Sequence, residues 1–212
     1  MFKFPKEIDN IVKGLNFSID EFGRSEDVVY LFEDKYILKI SSNKDRLLNE
    51  KNKIDYLYGK LPVSKSIIFL EENNKCYYLR TFINGESLIS ERFINNPEKL
   101  IDILVEVIKL LRKLDGIDIP FNSFENSGKA FVHGDLCLPN ILVDNNDDIA
   151  GFIDLDNAGL GDVWYDYAWV LWSLEYNLKT NKYNEILLQK LQIEFDEEKY
   201  NQYIPKEYRF NK

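Results

Sequence analysis

In His133-Gly134-Asp135-Leu136-Cys137-Leu138-Pro139-Asn140 a carboxylate stands five residues before an amide, just ahead of a hairpin that ends at Asp154. If that hairpin turns about Asp147, antiparallel pairing sets Asn140 opposite Asp154, with Cα atoms roughly 4.5 to 5.5 Å apart. An Asn carbonyl and an Asp carboxylate at one hairpin end are hard oxygen donors. They suit a Mg²⁺ ion that keeps its other positions for water and phosphate oxygens. Asp135, in the loop ahead, would then accept the proton of a substrate hydroxyl attacking a γ-phosphate. Singly, each of these residues reads as an ordinary cap or turn residue, and only their joint spacing points to phosphoryl transfer. His133 is the sole histidine and reads as a hydrogen-bonding brace, because Asp135 already fills the role of base.

Phosphoryl transfer also needs a lysine from a strand, held by a carboxylate from a helix. Lys39 and Glu50 fit. Glu50 stands three residues after Leu47 and four before Ile54, on the apolar face of its helix, where an unpaired charge is costly. Lys39 follows Ile37 by two, so both point to one face of a strand, the first toward phosphates and the second available to pack on a base. On its own the pair reads equally as a surface lysine and a solvated carboxylate. Phe22-Gly23-Arg24-Ser25 could cover phosphates through backbone N–H groups and the Ser25 hydroxyl, with Gly23 as its one glycine. Neither a G-x-x-x-x-G-K-[ST] loop nor a G-x-G-x-x-G fingerprint occurs, which removes the P-loop and dinucleotide folds.

These side chains need a scaffold, and the hydropathy pattern supplies one. Val28 to Leu31 and Tyr36 to Ile40 flank Glu33-Asp34-Lys35 as a hairpin, Asp45 to Gly59 is a helix, and Ser66 to Phe69 with Cys76 to Thr81 form a second strand pair. The pattern then becomes helical. Asn96-Pro97 opens a helix whose stripe runs Leu100, Ile103, Leu104, Val107, Ile108, Leu111 and Leu114, closed by Gly116. After a polar stretch, Asn140 to Val143 and Ile149 to Ile153 surround Asn145-Asn146-Asp147 as a further hairpin, and helices rich in Trp and Leu follow. Asp166 reads as a helix cap that also braces the loop at Asp135.

The 212 residues, 45% apolar and 30% charged, suffice for one compact domain or two small lobes. Acidic residues outnumber Lys plus Arg by 36 to 27, and the net charge of −9 disfavours nucleic acid and anionic lipid while favouring cationic partners. Cys76 and Cys137 lie far apart in sequence, so a reducing compartment without a zinc site is expected. Met1 to Asp9 lacks the apolar run of an export signal, and Leu100 to Leu114 carries too many charges to span a membrane. A cytoplasmic location follows as the expectation.

The run Val132 to Asn140, Gly151-Phe152-Ile153-Asp154-Leu155, Asp162-Val163-Trp164-Tyr165-Asp166 and Gly59-Lys60-Leu61-Pro62-Val63 together resemble the aminoglycoside phosphotransferase family, most closely its 3′-phosphotransferases. The resemblance implies an α+β, two-lobed protein-kinase-like fold. A small antiparallel β N-lobe with one helix would span 1–82, and a mainly helical C-lobe carrying the catalytic hairpin would span 83–212. It implies Asp135 as catalytic base, Asn140 and Asp154 as magnesium ligands, Lys39 as the phosphate lysine and Glu50 as its partner. ATP, or alternatively GTP, would bind with its base at a hinge from Arg80 through Phe82 to Asn84. The acceptor would be a small cationic aminoglycoside met by Asp156, Asn157, Glu175 and the terminal carboxylate beyond Phe210. Family members usually carry additional helix before the catalytic loop where only Pro120 to Ala130 stand here. Another small alcohol as acceptor, or a silent nucleotide-binding remnant, therefore stays open, as does the oligomeric state. A protein acceptor is disfavoured, because Gly134 replaces the Arg that pairs with a phosphorylated activation loop, and Asp154 to Asp166 is too short to form one.

Overall fold

The computed structural model describes residues 4–20, 27–123 and 128–208. Gly23, Ser25 and the terminal carboxylate lie outside the described residues. The chain divides into two compact units, Met1–Asn84 and Gly85–Lys212, and the fold is α+β.

The first unit contains α1 (Lys6–Val12), β1 (Phe17–Asp20), β2 (Val28–Phe32), β3 (Tyr36–Ser41), α2 (Lys44–Leu57), β4 (Ser66–Glu72) and β5 (Lys75–Thr81). Its strands form one antiparallel sheet in the order β1-β2-β3-β5-β4. Both expected hairpins form, and the second runs further than hydropathy suggested. Asn73 and Asn74 take φ of 52° and 59°, so a two-residue turn joins Glu72 directly to Lys75. Two elements precede those read from the sequence. α1 buries Ile8 and Val12, and with Phe4 it covers Tyr30, Phe32, Leu38 and Leu79. The Phe4 ring meets Tyr30 edge-on at 5.0 Å.

α2 starts where the Asn43 side chain accepts from the Arg46 N–H, and it stops before Gly59, whose φ is 82°. Its buried face is Leu47, Glu50, Ile54 and Leu57, spaced by three and four, with Lys53 beside them. The helical period thus carries a carboxylate into the interior along with three aliphatic side chains.

The second unit contains β6 (Glu86–Ser87), α3 (Glu91–Ile94), α4 (Pro97–Arg112), β7 (Ala130–Val132), β8 (Ile141–Val143), β9 (Ile149–Phe152), β10 (Gly159–Gly161), α5 (Val163–Leu178), α6 (Lys182–Leu191) and α7 (Glu197–Tyr203). Strands β6, β8 and β9 form one small antiparallel sheet, and β7 pairs with β10 in another. In α4, Asn96 caps the Lys99 N–H and Pro97 occupies the first turn. Ile101 and Val105 are buried beyond the expected stripe, since the helix packs on α3, α6 and β7 together. It ends at Arg112, short of Gly116. The residues between close tight turns through Lys113 N–H to Leu110 O and Leu114 N–H to Leu111 O. No helix among the described residues is long and apolar enough to cross a membrane.

Candidate active site

β7 leads straight into the loop His133 to Pro139, which closes as a 3₁₀ turn at Leu138–Asn140 before β8 begins. α5 holds this loop at two points. Asp166, only 1% exposed, accepts the His133 N–H on Oδ2 at 2.8 Å and the Gly134 N–H on Oδ1 at 3.0 Å. Seven residues on, Ser173 Oγ accepts the Leu138 N–H at 3.0 Å. Positions seven apart fall on one helix face, so a single face of α5 serves both ends of the loop. The cap of α5 is Asp162, which accepts from the Trp164 N–H, so Asp166 is a brace but not the cap. Ser173 escaped the sequence reading, although its spacing from Asp166 was the available signal.

Gly134 has φ of 83°, and a Cβ there would come within 2.4 Å of the Asn157 carbonyl oxygen. Glycine is required both for the left-handed turn and for the approach of the 154–158 segment. His133 is fully buried, its Nδ1 accepts the Asp135 N–H at 3.3 Å, and its ring meets Phe152 at 5.8 Å. Burial pushes its pKa down to about 4, against the opposing pull of the Ile153 backbone. The ring is therefore neutral with its proton on Nε2, and it supports the loop.

Asn140 Nδ2 donates to Asp135 Oδ2 at 2.9 Å and to the Asp135 backbone carbonyl at 3.0 Å. With Nδ2 so engaged, Oδ1 is the atom the amide could offer a cation. Burial raises the pKa of Asp135, the Cys137 thiol and the Asn140 amide lower it, and the negative charge of Asp156 raises it further. Asp166 is pushed up to about 6 by burial, against the two N–H groups it accepts.

The hairpin register differs from the symmetric one. Ile141 pairs with Phe152 and Leu142 with Gly151, but Val143 pairs with Ile149, which leaves Ala150 as a bulged residue. Asn140 consequently faces Ile153, whose N–H donates to the Asn140 carbonyl at 3.1 Å, and the expected pairing of Asn140 with Asp154 is shifted by one. A one-residue slip sends a side chain to the opposite face. Asp154, however, is exposed with φ of 60°, so the chain turns there and strand alternation no longer governs its carboxylate. Asn140 Oδ1 and the Asp154 carboxylate are donors of the kind Mg²⁺ takes. No group of three His, Cys, Asp or Glu that could hold a metal occurs among the described residues, so such an ion would rely on these two side chains and on non-protein oxygens.

Of the residues expected to meet an acceptor, Asp156 acts electrostatically on Asp135 and Asn157 lies with its carbonyl against Gly134. Glu175 is half-buried, about 13 Å along the α5 axis from Asp166.

In the first unit, Lys39 Nζ donates to Glu50 Oε2 at 2.8 Å, and Glu50 is 1% exposed. Asp27 lies 3.6 Å from the same ammonium and is itself paired with Arg46. Arg80 NH1 donates to Glu50 Oε1 at 2.9 Å. Despite burial, the Glu50 pKa is lowered, by Arg80 first and then by Lys39. Arg80 lies within β5, between β3 and β4 and opposite Ile37, so its backbone belongs to the sheet and its side chain to Glu50. Phe82 gives its N–H to the Lys35 carbonyl at 2.9 Å, which leaves its own carbonyl as the group a base could meet. Ile37 is half-buried on the face of β3 that carries Lys39.

The pattern of the phosphotransferase enzyme family matches residues 125–203. A probable aminoglycoside 3′-phosphotransferase of Lactococcus lactis is 30% identical over 86% of this chain and 86% of that protein. An aminoglycoside 3′-phosphotransferase of Enterococcus faecalis is 28% identical over 73% of this chain and 75% of that one. Among solved structures, an aminoglycoside phosphotransferase from Streptomyces rimosus in complex with ADP and streptomycin superposes with a TM-score of 0.78 at 15% identity, covering 92% of this chain and 93% of that one.

Proposed function

The chain belongs to the aminoglycoside phosphotransferase family, and on that premise we propose that it is an ATP-dependent O-phosphotransferase acting on a hydroxyl of an aminoglycoside. The observation that carries this reading is the 2.9 Å contact between Asn140 Nδ2 and Asp135 Oδ2. It holds a carboxylate whose proton affinity is raised by burial, in a loop tied to α5 at both ends. Such a group accepts the hydroxyl proton as the acceptor oxygen bonds to the γ-phosphorus and the bond to the β–γ bridging oxygen breaks. Lys39 orients the phosphates, held by Glu50. Mg²⁺ on Asn140 Oδ1 and the Asp154 carboxylate would supply positive charge to the phosphate oxygens. Asp156 and the overall charge of −9 suit a polyamine acceptor.

A second reading keeps the chemistry and changes the acceptor to another small alcohol. It is favoured by the connection from Arg112 to Ala130, which holds no helix among its described residues. The test is incubation of the purified chain with Mg-ATP or Mg-GTP and, in parallel, aminoglycosides bearing or lacking the 3′-hydroxyl and a panel of other small alcohols, amino alcohols and sugars, followed by mass spectrometry. A single added phosphoryl group that requires the 3′-hydroxyl supports the first reading. Phosphorylation confined to other alcohols supports the second, and no transfer to any acceptor refutes both.

A further inference from the structure

Lys39 is flanked by two carboxylates, with Glu50 at 2.8 Å and Asp27 at 3.6 Å. Left to itself, that arrangement would neutralise the lysine inside the protein. Each carboxylate, however, has a second cation: Arg80 takes the other oxygen of Glu50 and Arg46 takes Asp27. Among the described residues these ion pairs join three cations to two carboxylates, an excess of one positive charge. Arg80 is the buried member of the two arginines, at 8% exposure, with its guanidinium 5.8 Å from the centre of the Tyr78 ring on the same face of the sheet. Opposite residues of an antiparallel pair share a face, so the pairing of Lys39 with Tyr78 and of Ile37 with Arg80 puts all four together.

We propose that Arg80 is a positioning residue for phosphoryl transfer: by holding Glu50 Oε1 it keeps the carboxylate ionised and aimed, so that Lys39 is oriented by Glu50 and still carries charge toward an anionic phosphate. The proposal rests on the kinase reading above. A charge-assisted hydrogen bond from a guanidinium fixes a carboxylate more strongly than a neutral donor can. The charged groups that keep Glu50 ionised against burial are Arg80 from β5, Lys39 from β3 and Arg46 from its own helix. Asp27 faces Lys39 from the segment before β2.

The test compares wild type with Arg80→Met and Arg80→Gln, each checked for folding by circular dichroism and thermal melting. Steady-state kinetics are measured across pH 5 to 8, with Mg-ATP and acceptor varied separately. Expected is a rise of roughly tenfold in the KM for Mg-ATP with the acceptor KM unmoved. The acid limb of the rate profile should also move to higher pH, because Glu50 takes up a proton more readily without its arginine. Arg80→Lys, which restores the charge without the fork, should recover most of the pH profile and less of the KM. A wild-type pH profile and nucleotide KM in whichever neutral variant folds would overturn the proposal. Failure of wild type to transfer phosphate at all instead refutes the kinase reading on which it stands.

Discussion

The carboxylate of Asp166 spans the consecutive backbone N–H groups of His133 and Gly134 at 2.8 and 3.0 Å. An amide can accept at only one of its two ends, so Asp166→Asn turns an NH₂ group against a backbone N–H. The variant should lose about 1 to 3 kcal/mol of stability. Urea unfolding at neutral pH checks this, and a variant as stable as wild type would contradict the assigned brace.

The buried side chains of His133 and Asp166 give pH dependences of opposite signs. His133 has its pKa lowered to about 4, so its contribution is complete above the free value near 6.5 and is lost as pH falls toward 4. Asp166 is raised to about 6, so the cost of burying its charge is absent below the free carboxylate value and grows as pH rises through 6. Going from pH 7 to pH 5, wild type should therefore lose stability relative to His133→Gln and gain it relative to Asp166→Asn. Denaturant midpoints of the three proteins at both pH values test the two signs independently.

Asp135→Asn keeps the shape of the side chain and removes its ability to take a proton. Binding of Mg-ATP, measured by calorimetry, should persist while transfer falls by roughly 10²-fold or more. Unchanged turnover would show that Asp135 is not the base.

Gly134→Ala combines a left-handed backbone with a Cβ 2.4 Å from the Asn157 carbonyl oxygen. Strain of about 1 to 2 kcal/mol from the backbone alone is expected, before the cost of displacing the 154–158 segment. A thermal melt that matches wild type would mean that the segment yields freely.

Much of this arrangement was legible in the chain itself where local chemistry decides it. The turns at Glu33-Asp34 and Asn145-Asn146-Asp147, the cap at Asn96 and the apolar stripe of α4 all depend on near neighbours, and those elements stand where the pattern puts them. Glu50 on the apolar face of α2 announced that a cation must meet it, and Lys39 does. What escaped depends on contacts distant in sequence. The helix α1 contributes two buried side chains and holds only by packing on the sheet, the second cation on Glu50 comes thirty residues away at Arg80, and Ser173 serves a loop on another element. The hairpin was recognised but its register was not. Asp144 meets Asp148, so the turn centres on Asn146 and not on Asp147, and the bulge at Ala150, which periodicity cannot reveal, recovers only one of the two residues by which Asn140 and Asp154 are then out of line.

Asp166 and Ser173 suspend the loop from one helix at two separated points, which ties its local opening to that of α5. The amides of His133, Gly134 and Leu138 should exchange with deuterium only as fast as α5 itself opens, which makes the helix and the loop one cooperative unit of stability. Changes far along α5 would then register at Asp135 as altered protection, without touching any residue of the loop.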